Sequence, residues 1–233
     1  MLFRSTPDLF EAYLNCPTKC WLRAAGEVAT GNTYAEWVKS QGENYRVNET
    51  ARLVGGSSNG EVAMSPQAAT LKAAKWRLAT TLVIELPASV CTVESSLHAV
   101  ERTPSEGRGK AAQFIPIRFF FRNKLTKDDK LLLAFDAFVL AQAIGRDIAV
   151  GKIIHGDDHA TLKVKPLALA GEVRKRVEKI TALLGNEKPP DLVLNRHCGE
   201  CEFRERCRQK AIEADDLSLL AGMSAKEIGR AHV

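Results

Sequence analysis

The stretch Cys198-Gly199-Glu200-Cys201-Glu202-Phe203-Arg204-Glu205-Arg206-Cys207 packs three thiols into one short segment. Cysteines this closely spaced are seldom mere core residues. A soft metal centre takes four thiolates, so a set of three asks for a fourth ligand elsewhere. Cys16, in Cys16-Pro17-Thr18-Lys19-Cys20-Trp21-Leu22, is the candidate. If Cys16 supplies it, the centre ties the two ends of the chain together across about 180 residues, a long loop to close. The competing reading is three ordinary thiols on a helical segment. For Cys16 taken alone, both readings stay open.

Composition narrows the setting. A chain of 233 residues buries a sizeable core and fits one domain with appendages. Its 45% hydrophobic and 26% charged residues are ordinary for a soluble protein. No apolar run reaches the roughly 18 residues that a membrane span needs. Residues 1–8 hold no signal-peptide core, so the expected location is cytoplasmic. In that compartment clustered cysteines serve as metal or redox ligands, not as disulfides. The net charge of +5 is compatible with a nucleic-acid partner without requiring one.

Patterning along the chain alternates helix and strand. Pro7 stands early in a first helix with an apolar stripe of Leu9, Phe10, Tyr13 and Leu14. Residues 34–53 and 65–78 read as two further helices, the latter running into the apolar stretch 82–86. Residues 90–102 and 114–122 read as strands of a hairpin, joined by a polar turn at 104–109. Pro116 argues against a fully hydrogen-bonded central strand at that point. The clearest helix is 128–145, with Leu131, Leu132, Phe135, Phe138 and Val139 at helical spacing and Gly145 as its stop. Residues 148–155 form a short strand with 160–164 as its partner, and 169–184 is an amphipathic helix. This order predicts an α/β plan with a small mixed sheet flanked by helices.

Taken together, the Cys-Pro-x-x-x-Trp-Leu opening, the strand pair, the long helix ending in Gly, the next strand and the Cys-x2-Cys-x5-Cys close resemble the RecB-like branch of the PD-(D/E)XK nuclease superfamily. The likeness is to its iron–sulfur exonucleases, which include the CRISPR-adaptation nuclease and AddB-type helicase–nuclease domains. Residues 126–136, 194–198 and 215–223 are further similar to bacterial RecB-like nucleases that carry a C-terminal RNase H-like domain. The resemblance implies a restriction-endonuclease-like core over residues 1–213. Residues 214–233 would be a linker or the truncated start of a following region. It implies a 4Fe–4S cluster on Cys16, Cys198, Cys201 and Cys207, with zinc as the competing metal. Cys20, one helical turn from Cys16, would be a spare or occasional ligand, and Cys91 a small core residue. The implied partners are DNA, as single strands or duplex ends, and an RNase H-like domain or a helicase.

The catalytic motif of that superfamily is where the resemblance breaks. Its members hold Mg or Mn with an Asp on one strand and a Glu two residues before a Lys on the next, because a hard cation wants carboxylate oxygen. Here His98 stands at the Asp position, Pro116 at the Glu position and Arg118 at the Lys position. Leu132 and Asp136 replace the Gln and Tyr of the long helix, and residues 42–45 lack the usual upstream His. Two readings follow. In one, the site is catalytically dead and the fold binds nucleic acid or a partner, with Arg118 suited to phosphate contact. In the other, acidic ligands have migrated, and Glu94, His98 and Asp136, with Asp129 nearby, hold a metal. A third reading makes the chain a structural or redox-sensing iron–sulfur domain. The dead-site reading is preferred, since function is argued from the site and not from the fold.

Lesser candidates are set aside. Gly107-Arg108-Gly109-Lys110 lacks the spacing of a phosphate loop. His155-Gly156-Asp157-Asp158-His159 reads as a polar turn or a weak metal site. Arg204, Arg206, Arg208 and Lys210 suit DNA phosphates, but Glu202, Glu205 and Glu213 among them suit a solvated mixed-charge helix equally.

Overall fold

Residues 81–85 set the style of the sheet: Leu82 and Ile84 are buried while Thr81, Val83 and Glu85 face solvent, the period-two pattern of a strand with one face on the core. Leu78, Ala79 and Thr80 before them are buried on both faces. The computed structural model describes residues 3–29, 31–58, 60–87, 91–104 and 111–220, the side chains of Phe3 and Cys91 apart. The expected packing of Cys91, the stretch 107–110, most of the turn 104–109 and the tail from 221 onward lie outside the described residues.

In chain order the elements are β1 (Phe3–Ser5), α1 (Pro7–Asn15), α2 (Pro17–Ala24), α3 (Thr33–Gly55), β2 (Val62–Met64), β3 (Leu78–Leu86), β4 (Cys91–Thr103), β5 (Gln113–Phe120), α4 (Lys127–Ile144), β6 (Gly151–His155), β7 (Ala160–Val164), α5 (Ala170–Leu184) and α6 (Arg204–Glu213). The strands form one seven-stranded mixed sheet in the order β2-β3-β4-β5-β6-β7, with β1 also paired to β4. β3, β4 and β5 make an antiparallel meander. β6 then returns parallel to β5 through the crossover helix α4, the connection a parallel neighbour requires.

Helices cover both faces. On one, α4 lies in the main core with Phe10 of α1, Val173 and Ile180 of α5, and Leu82, Leu97, Val100 and Ile153 of the sheet. On the other, Tyr45, Leu53 and Val54 of α3 close over Ala99, Ile117, Phe119 and Ile154. α4 is buried on nearly every side, as a helix that is apolar all round must be. Thr126 and Asp129 cap its start reciprocally, and Gly145 ends it in the left-handed conformation at φ 74°. Phe135 at its middle stacks on Phe10 at 4.6 Å. No helix among the described residues is long and apolar enough to cross a membrane.

The expected helix over 65–78 is a correction. Only Ala68–Ala73 turns, as a short 3-10 helix, and Leu78 already begins β3. Ser65 stands at φ 47° with Pro66 after it, a poor start for a helix, and the β-branched Thr80, Thr81, Val83 and Ile84 favour the strand that follows. β1 and β2 were not foreseen; each is three residues long, too short to display alternation. The sheet is therefore wider than the small one expected. Pro116 keeps its predicted restriction: it pairs with Val100 of β4, but the β6 ladder begins only at Ile117. It thus sits where β5 has a strand on one side alone, a position that tolerates a missing N–H.

Gly151 lies close beneath α4. A Cβ there would stand 2.9 Å from Leu133 Cδ2 and 3.2 Å from its Cγ, and Leu133 is fully buried. Gly151→Ala is expected to destabilise the fold by about 1–3 kcal/mol through overpacking, seen as a lower urea midpoint with an unchanged denaturant slope.

Candidate functional site

β4 forks the sheet. Its first residues, Cys91 to Val93, pair with β1, and its last, Ala99 to Thr103, pair with β5. Between these ladders, residues 94–97 keep a described strand partner on the β3 side only. His98 and Arg118 lie at this fork. Phe119 N–H donates to His98 Nδ1 at 3.1 Å, so an imidazole takes the place of a strand carbonyl where β5 has parted from β4. The ring rests 5.5 Å from that of Phe119. Burial, then the nearby Arg118 and Arg46 guanidinium groups, hold the His98 pKa well below the ordinary imidazole range. It therefore stays neutral, as an acceptor must.

Arg118 points to the other face of the sheet, toward α4. Its Nε donates to Asp136 Oδ2 at 2.7 Å and its Nη2 to Oδ1 at 3.0 Å. Ser95 Oγ of β4 donates to the same Oδ1 at 2.7 Å. The side chains of Arg118 and Asp136 are only 7% and 1% exposed. Burial alone pulls the Arg118 pKa down, but the Asp136 charge more than offsets this and holds it above its usual value. Glu11 and Asp8 of α1 add negative potential from farther off. The result is a bidentate, charge-assisted pair with both carboxylate oxygens engaged.

The structure does not bring Glu94, His98 and Asp136 together. Glu94 pairs with Arg4 at 3.0 Å near the edge formed by β1. His98 lies against Phe119 on the α3 side, whereas Asp136 reaches the sheet from α4, so the sheet stands between them. Asp129 is also occupied: it accepts from Thr126 in the helix cap and pairs with Arg122 at 3.4 Å. Ser95 was missed by the sequence reading. Nothing in a lone Ser on a strand signals that it will meet a buried Asp from a helix.

Cys16, Cys198, Cys201 and Cys207 line one cleft with about 360 Å³ of empty space, part of it open to solvent. Lys19, His197 and Arg204 share its wall with the apolar Leu192, Leu194 and Phe203. Cys16 is delivered by the sharp junction of α1 and α2, where its extended backbone ends one helix and Pro17 starts the next. Cys198 sits in a short turn capped by Asn195, whose own N–H donates to the Cys198 sulfur at 3.3 Å. Polar contacts fasten the two segments. Asn195 Nδ2 donates to the Asn15 carbonyl at 3.2 Å, and Asn32 Nδ2 to the carbonyls of Gly199 and Cys201 at 3.1 and 3.0 Å. Glu202 receives Lys19 at 3.0 Å and Arg23 at 2.5 Å. Leu22, Cys201 and Phe203 form a small core beneath.

Burial first, and then Cys201, Cys16 and Cys198, push the Cys207 thiol up to about 11, with Arg206 opposing. Burial likewise raises Cys201. The four sulfurs share the cleft without converging on a point. Among the described residues no group of three or more His, Cys, Asp or Glu side chains is gathered as for a metal ion. Cys20 is placed elsewhere: it is fully buried in the main core, its thiol pushed up to about 12 chiefly by burial.

The turn 155–159 has a structural use. It presents His159, whose Nδ1 lies 2.6 Å from the buried Glu49 carboxylate of α3, and Arg52 holds the same carboxylate. Tyr45 OH donates to the Gly156 carbonyl at 3.0 Å, tying the same turn to α3. On α6, Arg206 reaches Glu27 at 2.6 Å.

No protein-family model matches the chain, and no curated protein matches it. Among solved structures, one described as the crystal structure of SSO0001 is similar at 17% identity, with a TM-score of 0.45, over 87% of this chain and 85% of that one.

Two outcomes follow from the fork. Asp136→Ala strands a buried guanidinium and is expected to cost about 3–5 kcal/mol, whereas Arg118→Met combined with Asp136→Leu costs less than that single change; urea unfolding of the set decides it. His98 gives a pH dependence. Its unfolded pKa is about 6.5 and its folded value lies below, so the unfolded chain takes up the proton first as pH falls. Stability is full above about pH 6.5 and declines below it, by at most about 1.4 kcal/mol per pH unit for this group. The urea midpoint of the wild type is expected to drop more steeply with acid than that of His98→Asn.

Proposed function

We propose that the chain is a RecB-like nuclease-fold domain that acts on DNA as a binding or accessory module, without hydrolysing it. The observation that carries this reading is the bidentate Arg118–Asp136 pair. A divalent cation needs carboxylate oxygens with free lone pairs, and Asp136 gives both of its oxygens to Arg118 and Ser95. The guanidinium also puts a permanent positive charge where a cation would have to enter. The separation of Glu94, His98 and Asp136 weighs against the alternative, an exonuclease with migrated ligands. The element order supports the fold assignment: a strand pair, a long helix ending at Gly145, then a parallel strand.

The four cysteines that line the cleft fit a sulfur-ligated centre, because an all-thiolate set suits an iron–sulfur cluster or zinc. Resemblance favours the 4Fe–4S cluster. When bound, such a cluster would neutralise thiolate charge and cross-link the α1–α2 junction to the segment before α6. The chain itself supplies the prearranged wall: Asn195 and Asn32 fix the turn, and Lys19 and Arg204 bring positive charge. A helicase or an RNase H-like domain is the partner that would supply catalysis.

The test uses anaerobically purified protein with iron and sulfide quantified. Fluorescence anisotropy with single-stranded and duplex DNA is expected to show binding that weakens steeply with salt, and gels with Mg or Mn to show no cleavage. Cleavage that disappears in Asp136→Asn would overturn the reading in favour of the exonuclease. A loaded cluster with neither binding nor cleavage would assign the chain to a structural or redox role.

A further inference from the structure

Two large rings stand on the solvent side of α3. Tyr34 and Trp37 are each 52% exposed. Helical spacing sets them side by side, with centroids 5.8 Å apart and planes 17° from parallel. Phe121, just after β5, meets Trp37 edge-on at 6.5 Å and 88°, which braces the pair from the sheet side. Farther along α3, Tyr45, Leu53 and Val54 pack on the sheet.

The surroundings narrow what the rings can serve. Thr33, Glu36 and Ser40 around them are exposed, so the rings form a narrow aromatic step within polar surface. A protein-docking face would instead present a broad apolar patch. Lys124, three residues past Phe121, is exposed and has no ion-pair partner among the described residues, whereas Lys39, two residues past Trp37, projects from the opposite side of α3. Arg122 is taken up on the other face of the sheet, by Asp129 of α4 at 3.4 Å and over the Phe120 ring at 5.3 Å. Of the two acids on this stretch of α3, Glu43 is engaged by Arg46, and Glu36 remains.

We propose that the Tyr34–Trp37 face is a stacking platform for the bases of single-stranded DNA, with Lys124 meeting a phosphate. Every base has a π-face, so stacking binds a single strand without reading its sequence, whereas duplex bases are already stacked on each other. The inference rests on the reading that the chain binds DNA, and it selects the single strand as the form bound here.

The experiment is anisotropy with a labelled oligothymidylate and a blunt duplex, on anaerobically purified wild type, Trp37→Ala, Trp37→Phe and Lys124→Gln. Trp37→Ala is expected to weaken single-strand binding roughly 5- to 100-fold and to leave duplex binding unchanged. Trp37→Phe is expected to recover most of the affinity, since a ring is kept. Lys124→Gln should reduce the slope of log affinity against log salt by about 0.7. Unchanged oligothymidylate affinity in Trp37→Ala would overturn the platform while the DNA-binding reading stands. A wild type that binds no DNA would overturn both. Self-association that Trp37→Ala abolishes, with oligonucleotide affinity untouched, would give this face to a second copy of the chain and overturn the proposal.

Discussion

A carboxylate withdrawn from water must have its charge answered, and Asp136 is answered from two strands at once. Arg118 comes from β5 and Ser95 from β4, while Asp136 itself comes from the helix that links β5 to β6. One buried pair thus joins three elements at the point where the sheet forks. A buried ion pair is weak evidence of added stability in itself, since desolvation offsets much of the attraction. Its consequence is geometric. It fixes how α4 sits on the meander, and it engages both oxygens of the carboxylate.

The fork also explains the chemistry at His98. β4 is long enough to serve β1 with its first residues and β5 with its last. Where β5 departs, a strand N–H would be left without a carbonyl, and a buried unpaired N–H is costly. The neutral His98 ring accepts it. An Asp at this position would bring a negative charge into the same space. In this chain the imidazole has become part of the ladder.

The other end of the molecule follows a different logic. Turns capped by Asn and a Pro-started helix present Cys16 and the Cys198–Cys207 segment to one cleft. Two charge networks, on Glu202 and Glu27, and a small core around Leu22 and Phe203 hold the segments against each other. These contacts bring both cysteine segments to one cleft through the protein's own packing, without gathering the sulfurs at a point. Raised thiol pKa values at Cys201 and Cys207 reflect that crowding and burial.

Much of this was legible in the residues. The spacing of Leu131, Leu132, Phe135 and Val139 with Gly145 after them located α4, and the cysteine spacing nominated three of the four thiols that share a cleft, the resemblance adding Cys16. Local signals sufficed there, because periodicity and caps act within a few turns of chain. The strand at Leu78 was hidden behind a helix-like run, and β1 and β2 were too short to alternate. Which face each residue took was decided only by the fold. Glu94 and Asp136, both acids near one strand pair in sequence terms, ended in different ion pairs. Ser95 and Arg118, unremarkable apart, ended on one carboxylate. Sequence determines which chemical groups are present and which local turns are cheap; long-range pairing and burial decide which of those groups meet, because a charge in the core takes whichever partner the packing places within reach.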